Sequence, residues 1–272
     1  MPIERLFDVR PITKSCFHEI DYQVMRAVFD THNELGRLYH ESLYQSELLA
    51  KCLASGLNII SEGEIRLSLH DFRKSYYIDV LVESGALYEL KAVDHLNERH
   101  DAQLLNYLFL SGLSEGKLIN FSLPSVEYRF VSTTVSPADR FSFTFDLSEW
   151  QGDRSSATHH MVELVDSMVK EWGCFLDVHL YEDAIVHFLG GEKKVRKTVD
   201  VVLENRLIGE HPMCLVDDRT GLHVSSIIKG RAQYRKHLER ILFHTNLERL
   251  VWINFRRNKV QFISLENSPV IK

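Results

Sequence analysis

The amino-acid sequence predicts an α/β fold in two related modules, each with a mixed central sheet flanked by helices. Segments with helical periodicity alternate along the chain with shorter segments in which apolar and polar residues alternate, as in half-buried strands. The order of these segments in the first half then recurs in the second half. A recurrence of this kind indicates a repeated structural unit.

The first module is predicted to contain two helices, three strands, a third helix and two closing strands. Gly36 and Gly56 follow the first two helical segments and supply stop signals, and Ser84-Gly85 marks a tight turn between two strands. The predicted helices cover residues 19–35, 41–54 and 99–111. The predicted strands cover residues 64–69, 76–82, 86–93, 117–121 and 128–131.

Short matching segments relate the two halves. The tripeptide Ile119-Asn120-Phe121 reappears as Ile253-Asn254-Phe255, and the segment around Asp79 is matched to the one around Asp200. Serine, threonine, proline and glycine accumulate between these halves, which predicts a linker near residues 150–157. The predicted domains are therefore 1–150 and 157–272.

Charge is distributed unevenly along the 272 residues, whose formal net charge is −6. Residues 1–150 carry 14 basic and 22 acidic side chains, whereas the remainder carries 18 basic and 16 acidic ones. Basic clusters in the second half suit contact with phosphates, although charged faces exposed to solvent give the same pattern. The cluster assigned to nucleic-acid binding is Lys229, Arg231, Arg235 and Lys236.

Several functional classes lack support in the sequence. No apolar run reaches the roughly 18 residues that a membrane-spanning helix needs, and the first residues do not resemble a signal peptide. The four cysteines are scattered without CxxC spacing, which is typical of reduced packing residues in a cytoplasmic protein. The loops GxGxxG and GxSxG are absent.

One constellation of charged residues suggests chemistry. Side chains alternate across a strand, so Glu89 and Lys91 share a face, and the turn at Ser84-Gly85 pairs their strand with the one that carries Asp79. Two carboxylates then form a hard oxygen site for Mg²⁺, or Mn²⁺ in its place. Lys91 is placed to orient water or to stabilise charge on a phosphate. The alternative is a surface salt bridge, because this spacing alone has little specificity.

Five segments, in order, resemble a family of small bacterial proteins named for a GxxExxY motif. The family belongs to the PD-(D/E)xK nuclease-like superfamily, and the resemblance covers about residues 18–132. The matching segments are HNELG at 32–36, ESLY at 41–44, YELKAV at 88–93, HDAQLLNYL at 100–108 and GKLINF at 116–121. The resemblance implies a restriction-endonuclease-like fold for each module and metal-dependent hydrolysis of nucleic acid, DNA or RNA.

The resemblance also implies roles for individual residues. Asp79 and Glu89 would be metal ligands, and the carbonyl of Leu90 a further one. Lys91 would be the catalytic lysine, Glu41 would reach the site from the second helix, and Gln103 would lie beside it. The motif has a glycine where this chain has Leu38, which makes Glu41 the least secure of these assignments.

The second module departs further from the pattern, since its strand 213–217 has no ExK and Val178 and His237 replace Glu41 and Gln103. It is interpreted as a degenerate, non-catalytic copy, with a rearranged site of Asp200, Asp217 and Asp218 left open. The two modules would form an intrachain pseudo-dimer, and a homodimer also remains open. The rival function is a nucleic-acid-binding or regulatory protein that keeps the nuclease fold without efficient cleavage.

Overall fold

The computed structural model of the protein describes residues 2–152, 158 and 160–267. It divides into two compact units, Met1–Pro137 and Ala138–Lys272. Residues 153–157 of the predicted linker lie outside the described residues. The division falls before that linker because the strand Thr144–Glu149 pairs within the sheet of the second unit. Among the described helices, none is long and apolar enough to cross a membrane.

The first unit contains a six-stranded sheet and helices that pack against it. Its helices are α1 (Lys14–Leu35), α2 (Glu41–Ala54) and α3 (Glu98–Ser111). Its strands are β1 (Ile3–Arg5), β2 (Ile59–Leu69), β3 (Phe72–Val82), β4 (Ala86–Lys91), β5 (Glu115–Asn120) and β6 (Glu127–Ser132). The short strand β1 was not predicted; it covers the edge of β2 by antiparallel pairing.

The strands of the first sheet follow their order in the chain, from β1 to β6. All neighbours are antiparallel except β4 and β5, which are parallel because α3 makes the crossover between them. A core of apolar residues from α1 and α2, including Val24, Val28 and Leu48, packs on the face of β4 that carries Tyr88 and Leu90. The opposite face of β4 carries Glu89 and Lys91.

The second unit has the same kind of architecture. Its helices are α4 (Pro137–Phe141), α5 (Met161–Trp172), α6 (Val178–Phe188), α7 (Glu192–Val195) and α8 (Arg231–His244). Its strands are β7 (Thr144–Glu149), β8 (Arg196–Leu203), β9 (Arg206–Asp217), β10 (Thr220–Ser225), β11 (Arg249–Arg256) and β12 (Lys259–Glu266). They form a second six-stranded sheet in the order β7-β12-β11-β10-β9-β8.

Five consecutive strands have the same order and directions in both sheets. Like β2–β6, the strands β8–β12 are antiparallel neighbours except for one parallel pair, β10 and β11, joined through α8. The sixth strand differs, because β1 extends the β2 edge whereas β7 extends the β12 edge. The predicted α/β fold with two mixed sheets flanked by helices is confirmed.

The repeated Ile-Asn-Phe segments have the same structural role in both units. Asn120 bonds the backbone of Val93 through its side-chain carbonyl at 3.0 Å and its amide at 2.8 Å, and Asn254 bonds Ile227 in the same way at 2.7 and 3.1 Å. Both asparagines are fully buried. They hold in place the segment that follows β4 in the first unit and the segment that follows β10 in the second. These hydrogen bonds compensate for the burial of a polar side chain.

A tyrosine and a phenylalanine form a second shared feature. Tyr44 of α2 stacks on Phe121 with ring centroids 4.5 Å apart, and Tyr181 of α6 stacks on Phe255 at 4.1 Å. Each tyrosine hydroxyl donates to the carbonyl of the glycine that ends the preceding helix; these glycines are Gly36 and Gly173. Tyr44 is thus a packing residue.

Candidate active site

The candidate site lies on the face of β3 and β4 opposite the α1–α2 core. The register places Val80 opposite Tyr88, so Asp79 lies next to Glu89 across the strand pair. The backbone N–H of Leu90 donates to Oδ2 of Asp79 at 2.7 Å, which holds this carboxylate against β4. Asp79 and Glu89 therefore share the face that strand alternation predicted.

The Lys91 ammonium lies at the centre of the site, among three carboxylates. Its Nζ is 2.6 Å from Oε1 of Glu89, 3.9 Å from Oδ2 of Asp79 and 4.0 Å from Oε1 of Glu41. Glu41 begins α2, where an acidic side chain is favoured by the helix dipole. Despite Leu38 in the preceding loop, the structure brings Glu41 to the other three predicted residues.

Burial and mutual repulsion shift the titration of these groups. Glu89 is fully buried, and burial together with the neighbouring Asp79 raises its pKa to about 8. Burial also raises the pKa of Asp79 and of Glu41. For Lys91, burial acts to lower the pKa, but attraction to Glu89, Asp79 and Glu41 outweighs it, and the pKa is raised. The lysine thus stays charged among the three carboxyl groups.

The carboxyl groups have the composition expected of a divalent-cation site. Hard cations prefer oxygen ligands, and Asp79, Glu89 and Glu41 supply carboxylate oxygens. The Oε2 atom of Glu89 is buried and has no hydrogen-bond partner in the part of the chain that the structure describes. An uncompensated carboxylate oxygen in the interior is costly unless a cation or donor meets it. In chemical type these residues fit such an ion, although no three acidic, histidine or cysteine side chains of the described residues are already arranged as a metal centre.

Two neighbouring residues support the site and were missed at the sequence level. Gln45, one helical turn after Glu41, donates its side-chain amide to the backbone carbonyl of Asp79 at 2.9 Å. Tyr107 accepts a hydrogen bond from Gln103 at 3.1 Å, and burial raises the pKa of its hydroxyl. The i+4 spacings from Glu41 and from Gln103 are the signals that point to them.

Gln103 lies on α3, as predicted, with one turn of helix between it and Tyr107. The side-chain amide of Gln103 donates a hydrogen bond to the Tyr107 hydroxyl. That hydroxyl is close enough to Glu89, Asp79 and Lys91 for their charges to affect its pKa. The Gln103–Tyr107 pair therefore forms the polar border of the site on the α3 side.

The hydrogen-bond register of the second sheet gives a residue-to-residue match between the units that differs from the match predicted from the sequence. Ile119 pairs with Leu90, and its counterpart Ile253 pairs with Val224. Glu89 and Lys91 therefore correspond to His223 and Ser225, and Asp79 corresponds to Met213 on β9. The sequence-based match of Asp79 with Asp200 is wrong, because Asp200 lies on β8, which is the counterpart of β2.

This region of the second unit is an apolar core. Met213 and Tyr234 pack against Trp252 and Leu238, and the indole of Trp252 donates to the Ser225 hydroxyl at 2.8 Å. The Nε2 atom of His223 lies within hydrogen-bond distance of the Tyr234 hydroxyl, at 2.6 Å, and burial lowers the pKa of the histidine. Among the described residues of the second unit, no set of carboxylates takes the place of the one in the first unit.

The rearranged acidic site also does not form. Asp200 pairs with Glu210 across β8 and β9, and Asp217 lies at the other end of β9. At about 3.3 Å per residue, the seven residues from Glu210 to Asp217 span roughly 23 Å. That separation is too large for Asp200 and Asp217 to share one ion.

One of three comparisons with known proteins gives a match. Residues 18–131 match the family model of the PD-(D/E)XK nuclease superfamily. The matched segment contains Glu41, Asp79, Glu89, Lys91 and Gln103. No curated protein and no solved structure matches the chain. Residues 18–131, within the first unit, are thus similar to the PD-(D/E)XK nuclease superfamily, and this similarity suggests nuclease activity.

Proposed function

We propose that the protein is a divalent-cation-dependent nuclease whose first unit hydrolyses phosphodiester bonds of nucleic acid. The observation that carries the proposal is the convergence of Asp79, Glu89 and Glu41 around the Lys91 ammonium. This arrangement lies inside the segment that matches a nuclease superfamily. A surface salt bridge does not account for it, because Glu89 is fully buried and one of its oxygens has no partner among the described residues.

The roles of the residues follow from their positions. Asp79 and Glu89 would hold Mg²⁺ or Mn²⁺, with the Leu90 carbonyl as the further ligand that the family resemblance implies. Such an ion, when bound, polarises the phosphodiester and lowers the pKa of a water molecule. Lys91 stabilises negative charge on the phosphate oxygens. Glu41 completes the acidic border, and Gln103 positions substrate from the α3 side.

The second unit has a different part in this proposal. Its counterparts of the acidic ligands are Met213 and His223, so we assign it no cleavage. We interpret the two units as diverged copies of a GxxExxY-type module fused in one chain. The second copy supplies contacts to nucleic acid, for which the sequence analysis named Lys229, Arg231, Arg235 and Lys236. Of these, Arg231 and Arg235 are paired with Glu149, whereas Lys229 and Lys236 are exposed.

A cleavage assay with matched variants tests the proposal. The purified protein is incubated with labelled single-stranded and duplex DNA and RNA in Mg²⁺, in Mn²⁺ and in EDTA. We expect cleavage with either cation and none in EDTA. Glu89→Gln should lower the rate by roughly 100-fold or more, because it removes a charged ligand. Glu98→Gln, at an exposed position of α3, is the control and should retain the rate.

Cleavage that continues in EDTA would contradict the dependence on a cation. Equal rates for Glu89→Gln and Glu98→Gln would show that the site lies elsewhere. If the protein binds nucleic acid but cleaves none of the substrates, the rival function, a binding or regulatory protein with a nuclease fold, replaces this one.

A further inference from the structure

The cationic residues of α8 lie on two faces of the helix and differ in whether they form ion pairs. Its inner face packs Leu238 and Leu242 into the core, and Arg231 and Arg235 on this side are paired with Glu149 of β7. Its outer face carries Lys236 and Arg240, one helical turn apart. Neither of them forms an ion pair within the described residues. These two cations are therefore available to a ligand, whereas the two inner arginines hold the unit together.

A groove of about 390 Å³ adjoins this outer face, between α8 and the β8–β9 hairpin. Its floor is apolar and is formed by Val201, Ile208 and Ile241. Arg240, His211 and Glu210 line its border. Ile208 is 54% exposed, so its side chain is accessible to a ligand in this groove.

Two tyrosines of the first unit occupy the positions that match two lining residues of this groove. Ile241 corresponds to Tyr107, because the helices α8 and α3 align with Leu242 at the position of Leu108. Glu210 corresponds to Tyr76, because the strand register matches β9 with β3. In the first unit these two tyrosines lie edge to face with centroids 6.4 Å apart. Smaller or polar side chains in their places open the space beside α8.

We propose that this groove and the outer face of α8 bind single-stranded nucleic acid at a site separate from the catalytic one. Lys236 and Arg240 contact consecutive phosphates, and one unpaired base lies on the apolar floor. The Glu210 carboxylate accepts a hydrogen bond from an exocyclic amino group of that base. A duplex keeps its bases stacked, so it reaches the phosphate contacts but leaves the groove empty. The proposal rests on nucleic acid being the substrate class of the proposed function.

Binding measured in EDTA tests the phosphate contacts independently of cleavage. Fluorescence anisotropy of the full chain uses a labelled 20-nucleotide single strand and the matching duplex across a series of salt concentrations. The double variant Lys236→Ala, Arg240→Ala should weaken single-strand binding about tenfold or more and reduce the salt dependence by roughly two phosphate contacts. The control, Arg256→Ala with Arg257→Ala, removes the same charge from exposed positions and should change affinity less than about twofold. Equal effects of the two double variants would overturn the proposal.

A second set of variants tests the groove. Glu210→Tyr with Ile241→Tyr recreates the tyrosine pair of the first unit, and Ile208→Asp places a carboxylate in the groove at an exposed position where the fold tolerates it. Each should weaken single-strand binding by roughly fivefold or more, since the base loses its contact with the apolar floor, while duplex binding stays unchanged. Unchanged single-strand binding by Ile208→Asp overturns the proposal, as does an equal loss for both substrates. Retained binding without cleavage would contradict only the proposed function.

Discussion

Replacement of Lys91 by methionine should abolish cleavage while leaving divalent-cation binding at least as tight as in the unmodified protein. Methionine keeps most of the aliphatic stem but removes the ammonium that lies 2.6 Å from Glu89. Loss of a positioned charge that stabilises a reacting phosphate typically costs about 100- to 1,000-fold in rate. The ammonium also competes with a cation for the same three carboxylates, so its removal favours the ion.

Two measurements separate these effects. Cleavage rates report the catalytic role, and calorimetric titration with Mn²⁺ in the absence of substrate reports cation affinity. Lys51→Met is the matched control, because Lys51 is also paired with two carboxylates, Glu34 and Glu47, but lies in the last turn of α2, away from the site. A normal cleavage rate in Lys91→Met would remove Lys91 from the mechanism. Weaker Mn²⁺ binding would instead mean that the lysine holds the carboxylates in place for the ion.

The site could be predicted from the sequence because it depends on local geometry. Glu89 and Lys91 are two residues apart on one strand, and a tight turn brings Asp79 beside them, so alternation and the hairpin suffice. The contacts made by Gln45 and Tyr107 depend on how helices from distant parts of the chain pack on the sheet. The i+4 spacing places Gln45 and Tyr107 on the same helix faces as Glu41 and Gln103, but it does not specify how those faces pack on the sheet, and these two residues were therefore missed.

The second unit shows the limit of matching short segments. Val199–Leu203 resembles Ile78–Val82 in its alternation of apolar and acidic residues, but such alternation is common to half-buried strands. Hydrogen-bond register decides the correspondence, and it matches Asp79 with Met213. The Asn and Phe matches were more reliable, because a fully buried asparagine that bonds a connecting segment and a stacked ring impose specific requirements.

Basic clusters likewise require the structure for their interpretation. Arg231 and Arg235 appear in the sequence as part of one positive segment with Lys229 and Lys236. Glu149, more than 80 residues earlier in the chain, pairs with both arginines. Within the described residues, the positive charge of α8 that is not paired is therefore smaller than the sequence count implies, and it lies on the opposite face of the helix with Lys236 and Arg240.

Loss of the buried ion pair between Asp21 and Lys117 should destabilise the first unit by about 3–5 kcal/mol. Lys117 is 3% exposed, and its ammonium lies 2.5 Å from Asp21 and 4.7–4.9 Å from the ring centroids of Phe130 and Tyr128. In Asp21→Ala the ammonium stays buried beside the two rings with no carboxylate to neutralise it. An uncompensated charge in the interior costs more than the pair itself contributed.

Hydrogen exchange at increasing denaturant concentration measures this effect within one unit of the full chain. Peptides that cover β5 should lose protection in Asp21→Ala, and peptides that cover β11 of the second unit serve as the internal reference. The double variant Asp21→Leu, Lys117→Met replaces both charges by apolar groups of similar size and should recover most of the lost stability, since a buried pair contributes little over a well-packed apolar contact. If Asp21→Ala exchanges like the unmodified protein, the pair is not desolvated. If the double variant is as unstable as the single one, the loss comes from packing around α1, and the charge of Lys117 is not its cause.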